Sequence, residues 1–334
     1  MDQNNNAPLL DEKTLPARNL AAERLQIASP AIGIAVIFGL SILLQSAIHA
    51  IVLASAPAVA ENDWYPWVLS MVPMYGIAMP ASLLLFRLGT PEPPKKQTLR
   101  PIVLLGLMAT CFALAYAGNI VGNVINVIIS IFTGKEITNE LAELTTSSPF
   151  WINLLFCGIL APIMEEIFYR KLVIDRLRRY GDLPAILISG LAFGLIHGNV
   201  AQFCYASLLG MLFGYIYLNT GKIRYTIALH MGINMLSGVL ATEVLKALDL
   251  ELLATDFIKA IQQAPVAFLL YLAYIAFVLL LCVAGIVCGV LLFVRCRKPL
   301  AKAENPLSAR EWVKVLALNP GVWVFAAVVV LLFI

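Results

Sequence analysis

Charge is what this sequence has little of. Asp, Glu, Lys and Arg make up only 13% of its 334 residues, where soluble domains carry about 25%. Hydrophobic residues make up 60%, and mean hydropathy is +0.86. A chain so poor in charge cannot cover a water-facing surface, so it reads as an integral membrane protein with the lipid bilayer as its solvent. Other absences narrow the reading. No CxxC pair occurs; Cys111, Cys157, Cys204, Cys282, Cys288 and Cys296 lie inside or at the ends of apolar runs and read as small buried hydrophobes. No HExxH is present. No Asp pair lies in the apolar segments, and no Gly-flanked serine elbow has a histidine partner, although Ser189-Gly190 is near His197. No basic helix or aromatic platform stands outside the apolar runs, which excludes a nucleic-acid partner. No internal repeat can be aligned, which weighs against a transporter relaying protons through an inverted-repeat fold. Residues 1–29 lack the compact basic start and short apolar run of a signal peptide, and they read as a cytoplasmic tail.

What is present is a series of nine apolar segments, each near the length of about 20 residues that a bilayer needs: 31–55, 65–86, 101–132, 150–170, 183–198, 201–218, 223–241, 264–294 and 319–334. The expected fold is all-α, a polytopic bundle of eight or nine transmembrane helices. A cytoplasmic tail (1–29) is followed by N-terminal helices (30–149), a central core (150–241) and C-terminal helices (242–334). With the N-terminus inside and every segment crossing, the positive-inside rule places Lys13, Arg18 and Arg24 in the tail. The inner loops then hold Arg87, Lys95, Lys96 and Arg100; Arg170 to Arg179; Lys222 and Arg224; and six more cations between Arg295 and Lys314. Only Lys135, Lys246 and Lys259 fall outside. Nothing in the sequence specifies an oligomeric state.

Ionisable residues inside the apolar segments are His49, Glu165, Glu166, Arg170, His197 and His230, with Arg87 and Arg224 at ends where they can snorkel. Each buried charge costs roughly 2.5–3.5 kcal/mol on insertion scales, so two adjacent glutamates need a partner or a function. Glu166 and Arg170 are four apart and share a helical face. Glu165 is rotated about 100° away, which leaves it for chemistry. Phe193 and His197 are also four apart, as are His230 and Asn234. His49, alone on its segment, reads as a packing residue. A carboxylate with a neutral imidazole can take a proton from water and direct it at a carbonyl, and a second histidine with an asparagine amide can donate to the resulting oxyanion. Alternatively, Glu165, His197 and His230 can ligate zinc with an open position for water.

Glu165-Glu166-x-x-x-Arg170, Phe193-x-x-x-His197 and His230-x-x-x-Asn234, in this order on successive segments, resemble the three motifs of the CAAX protease and bacteriocin-processing (CPBP, or Abi) family of intramembrane endopeptidases. That family includes the type II CAAX prenyl endopeptidases. The resemblance covers about 150–240. It implies a bundle whose chamber lies within the membrane and opens to the cytosol, and hydrolysis of a membrane-embedded or lipidated peptide. It also implies water activation by Glu165 with His197 and oxyanion stabilisation by His230 and Asn234. Members have been described as metalloproteases, so zinc is a possible cofactor; metal-free glutamate chemistry is the reading preferred here. The prokaryotic branch is associated with bacteriocin immunity, which implies a bacterial cell membrane. The competing expectation is a catalytically idle scaffold of the same fold that binds a partner membrane protein.

Overall fold

The computed structural model describes residues 19–134 and 140–333, and all regular structure among these residues is helical. Ten helices carry the architecture: α1 (Leu20–Ser55), α2 (Tyr65–Phe86), α3 (Pro101–Thr133), α4 (Phe150–Tyr180), α5 (Asp182–Leu195), α6 (Val200–Thr220), α7 (Ile223–Lys246), α8 (Pro265–Cys296), α9 (Ala309–Ala317) and α10 (Pro320–Leu332). Seven of these, all but α5, α9 and α10, are long and apolar enough to cross a bilayer; α9 and α10, bent by 68°, make an eighth if taken as one span.

Of the eight or nine crossings expected, eight are reached only with α9 and α10 taken as one span, and a ninth is not supported. Every predicted segment forms a helix, but α5 has 14 residues and α10 has 13. At 1.5 Å per residue, α5 is about 21 Å long, short of a hydrocarbon core of about 30 Å. It begins after Gly181, whose φ is 102°, and it ends just before His197. α9 is amphipathic rather than spanning. A capping box of Ser308 and Glu311 starts it, Val315 is buried, and Trp312 rests on the Tyr180 ring at 5.4 Å.

The connections expected to be basic meet at one end of the bundle. Glu92 donates its N–H to the Asp175 carbonyl, and Gln97 to that of Thr220. Arg178 reaches the Pro93 carbonyl, and Lys222 reaches Thr98 Oγ1 at 3.0 Å. Asp182 and Ala301 exchange two hydrogen bonds, and Tyr180 donates to Glu23 Oε2 at 2.6 Å. At the opposite end, Trp67 Nε1 donates to Ser148 Oγ at 2.7 Å and Lys246 reaches the Ser148 carbonyl. Lys13, Arg18 and Lys135 lie outside the described residues.

Within a membrane there is little hydrophobic drive between helices, so close backbone approach through small residues holds them. A side chain at Gly118 or Gly122 of α3 would strike the backbone of α6 at Tyr205 and Ala201. Gly190 of α5 lies against Gly210 and Met211 of α6 in the same way. These contacts lock α3, α5 and α6 into one block. Against it stand α4 and α7, while α1, α2 and α10 close the other side.

Candidate active site

Two helices reach the centre of the bundle by the same local device. In α4, residues Leu154–Leu160 are π-helical, and Ala161 donates its N–H to Phe156, five residues back. Pro162 has no N–H. The Cys157 carbonyl thus loses both its α-type partner, Ala161, and its π-type partner, Pro162. Asn234 Nδ2 from α7 donates to it instead at 2.9 Å. In α2, Val72–Ala78 are π-helical, and Met79 donates to Met74, one residue before Pro80. The sequences correspond: Cys157-Gly158-Ile159-Leu160-Ala161-Pro162 and Tyr75-Gly76-Ile77-Ala78-Met79-Pro80. Isolated π-turns inside α-helices are frequent at functional sites. Here they lie on α2 and α4, which bring Tyr75 and Glu165 together, and further π-helical stretches occur at Ile167–Ile174 of α4 and Asn234–Leu240 of α7.

The two glutamates of α4 have different surroundings. Glu166 is fully buried and bonds three ways: Arg170 Nε at 3.0 Å, Arg170 Nη2 at 3.5 Å, and His230 Nδ1 at 3.2 Å. Arg170, also fully buried, gives Nη1 to Ser189 Oγ at 2.8 Å, and its guanidinium lies 5.3 Å from the centre of the Phe193 ring. Glu165 keeps 18% of its side chain exposed. Its Oε1 accepts from the Tyr75 hydroxyl at 3.4 Å, and its Oε2 is 3.7 Å from His230 Nε2. His230 therefore stands between the two carboxylates, one nitrogen toward each.

Glu165 opens onto a cavity of about 170 Å³ that His197, Tyr75 and Tyr169 also line, with Met71, Met74, Met79 and Met164 among the apolar walls. His197 follows the end of α5. Gly198, at φ 69°, then turns the chain sharply, a conformation that glycine adopts without steric cost. His197 Nδ1 bonds the Phe193 carbonyl at 2.7 Å. A carbonyl only accepts, so Nδ1 carries the hydrogen, and a neutral ring has its lone pair on Nε2. Phe193 also sets the rings of both histidines, edge-on to His197 at 5.1 Å and to His230 at 5.6 Å.

The structure brings the predicted residues together by two routes. Glu166, Arg170 and His230 form one bonded network, and His230 extends it toward Glu165. His197 shares the cavity with Glu165, but no hydrogen bond joins them. Asn234 lies one turn beyond His230 and holds α4 to α7 through Cys157. His49 is apart from all of these and bonds the Tyr65 hydroxyl at 2.9 Å. Ser189 is no free nucleophile: it is buried, receives Arg170 and donates to the Tyr169 carbonyl at 3.0 Å. Sequence reading overlooked Tyr75, and also Tyr169, whose buried hydroxyl has no hydrogen-bond partner. The repeated Gly-Ile-x-x-Pro is the signal that singles out Tyr75.

A zinc ion is not fitted by this arrangement. Nδ1 of each histidine is engaged, by Glu166 or by the Phe193 carbonyl, and Nε2 is the nitrogen left to meet an ion, but among the described residues no three His, Cys, Asp or Glu side chains are placed together to hold one.

Comparison with known proteins points the same way as the motifs. Residues 147–236 match the family model described as Type II CAAX prenyl endopeptidase Rce1-like. All six predicted site residues lie in that stretch. The chain is also 26% identical over 132 residues to a Bacillus subtilis (strain 168) protein named "Putative membrane peptidase YdiL", covering 39% of this chain. It spans about half, 53%, of that relative's length. No solved structure matches.

Proposed function

We propose that this protein is an intramembrane endopeptidase that hydrolyses a peptide bond in a membrane-associated or lipidated peptide by metal-free glutamate and histidine chemistry. One observation carries the reading. Of two adjacent glutamates, Glu166 is sealed and paired, while Glu165 faces a cavity that it shares with His197. In the proposed reaction a water lies between the Glu165 carboxylate and His197 Nε2. Glu165 takes one of its protons as the oxygen attacks the scissile carbonyl carbon. The oxyanion accepts from the second N–H of Asn234, whose first N–H is on Cys157, and from the His230 ring. Glu165 then passes its proton to the leaving amine, and the C–N bond breaks.

The test is cleavage of membrane-anchored peptides by purified protein. Glu165→Gln keeps the shape and removes the base, so turnover falls about 10²–10⁴-fold while the melting temperature stays near that of the wild type. Activity persists after exhaustive chelation. A loss that zinc alone restores would reassign His197 and His230 as ligands. No cleavage by wild-type protein on any such substrate would leave the scaffold reading in place.

We further infer that the basic end of the bundle faces the cytoplasm, because Lys and Arg collect there. A cysteine placed at Lys95 should resist an impermeant thiol reagent in intact cells and react once the cells are opened. Labelling in intact cells would reverse the topology.

A further inference from the structure

We propose that Tyr75 is a positioning residue for Glu165, a role that rests on the endopeptidase reading above. A general base must present one oxygen to the water in a fixed direction, and a glutamate side chain has three rotatable bonds before its carboxylate. The walls around Glu165 are largely apolar: Met71, Met74, Met164 and Phe168. They exclude water but supply no hydrogen bond to hold the carboxylate. Glu166 cannot hold it, being committed to Arg170 and His230. His230 Nε2, at 3.7 Å, is beyond hydrogen-bond distance. The hydrogen bond that remains is from the Tyr75 hydroxyl, which donates to Oε1 at 3.4 Å. With Oε1 engaged there, Oε2 is the oxygen presented toward His230.

The way Tyr75 is delivered supports the role. It sits in the π-helical stretch of α2, and Pro80 lies five residues on, as Pro162 does after Cys157 in α4. In α4 this device frees a carbonyl that Asn234 takes, joining α4 to α7. In α2 it accompanies the side chain that joins α2 to α4. The two contacts hold α4 at Cys157 and at Glu165, from α7 and from α2. Tyr75 comes from outside the 147–236 stretch that carries the family match, so the site is completed by a helix that the motifs do not include.

The experiment combines kinetics with melting. Tyr75→Phe should lower kcat about 10- to 100-fold, the size of one hydrogen bond to a charged group, with KM unchanged. Glu165→Asp draws the carboxylate back by one methylene, out of reach of the phenol. In that background Tyr75→Phe should cost less than about threefold more, because effects acting through one contact do not multiply. Melting supplies an arm that needs no cleavage: Tyr75→Phe, Glu165→Leu and the double variant should shift the melting temperature non-additively. Additive shifts overturn the proposal, as does a kcat of Tyr75→Phe within about twofold of wild type. So does a rise in KM at constant kcat, which would make Tyr75 a substrate contact, and so do kinetic losses that multiply. If wild-type protein cleaves nothing while the melting shifts are non-additive, the endopeptidase reading fails and the contact stands.

Discussion

The two sides of α4 are built to opposite rules. On one side Glu166, Arg170, Ser189 and His230 saturate one another, and both members of the ion pair have no exposed surface. On the other side Glu165 has one direct hydrogen bond and an opening beside it. One hundred degrees of helix rotation separates a load of charge that only holds helices together from a charge left available for reaction. The difference teaches that adjacency in sequence says little about role. What decides is how many partners the fold brings to each side chain.

The widest contrast between the two sides is in stability. Removing one member of a buried pair leaves the other charge unpaired, at a cost of about 3–5 kcal/mol. Glu166→Ala should therefore collapse expression and melting in detergent, and adding Arg170→Met should recover part of both. Glu165→Gln should do neither. If instead Glu165→Gln unfolds the protein while Glu166→Gln stays folded but inactive, the assignment of the two glutamates is reversed.

A smaller effect sharpens the comparison at its edge, where Asn234 ties α7 to the Cys157 carbonyl. Asn234→Leu leaves that carbonyl without a partner, at a cost of about 1–3 kcal/mol. Pro162→Ala in the same chain restores an N–H five residues after Cys157 and should return part of the loss, measured by thermal unfolding. If Pro162→Ala makes no difference, the proline does not account for the free carbonyl.

How much of this was legible beforehand follows from the range of each signal. The Glu166–Arg170 pair was readable because helical spacing is local. So was the collection of basic loops at one end, since charge cannot be hidden in lipid. The nine-crossing count failed at α5 and α10 because apolar character does not measure length. α5 stops at Leu195, and α10 is cut from α9 by a bend. His230 between the glutamates and Tyr75 on Glu165 were out of reach because each is a contact between helices far apart in the chain. For Glu165 and Tyr75 the separation is 90 residues. The sequence does carry a trace of that contact in its two Gly-Ile-x-x-Pro stretches, which acquire meaning only once Tyr75 and Glu165 are seen to meet.

The spacing of four between Glu166 and Arg170 has a consequence for how the chain enters the membrane. An i,i+4 pair belongs to one helix, so its charges are matched before any neighbour arrives. Glu165 is different: Tyr75 is on a helix made earlier and His230 on one made later. During synthesis α4 therefore meets the bilayer with one unmatched carboxylate rather than three separate charges. The scale for an isolated charge at mid-membrane, about 2.5–3.5 kcal/mol, is then incurred once, offset in part by the Tyr75 hydroxyl of α2 and further once α7 brings His230 to 3.7 Å. A ribosome stalled after α4 but before α7 would leave the segment poorly anchored, and chains truncated there should slip out of the membrane more readily than chains carried through residue 246.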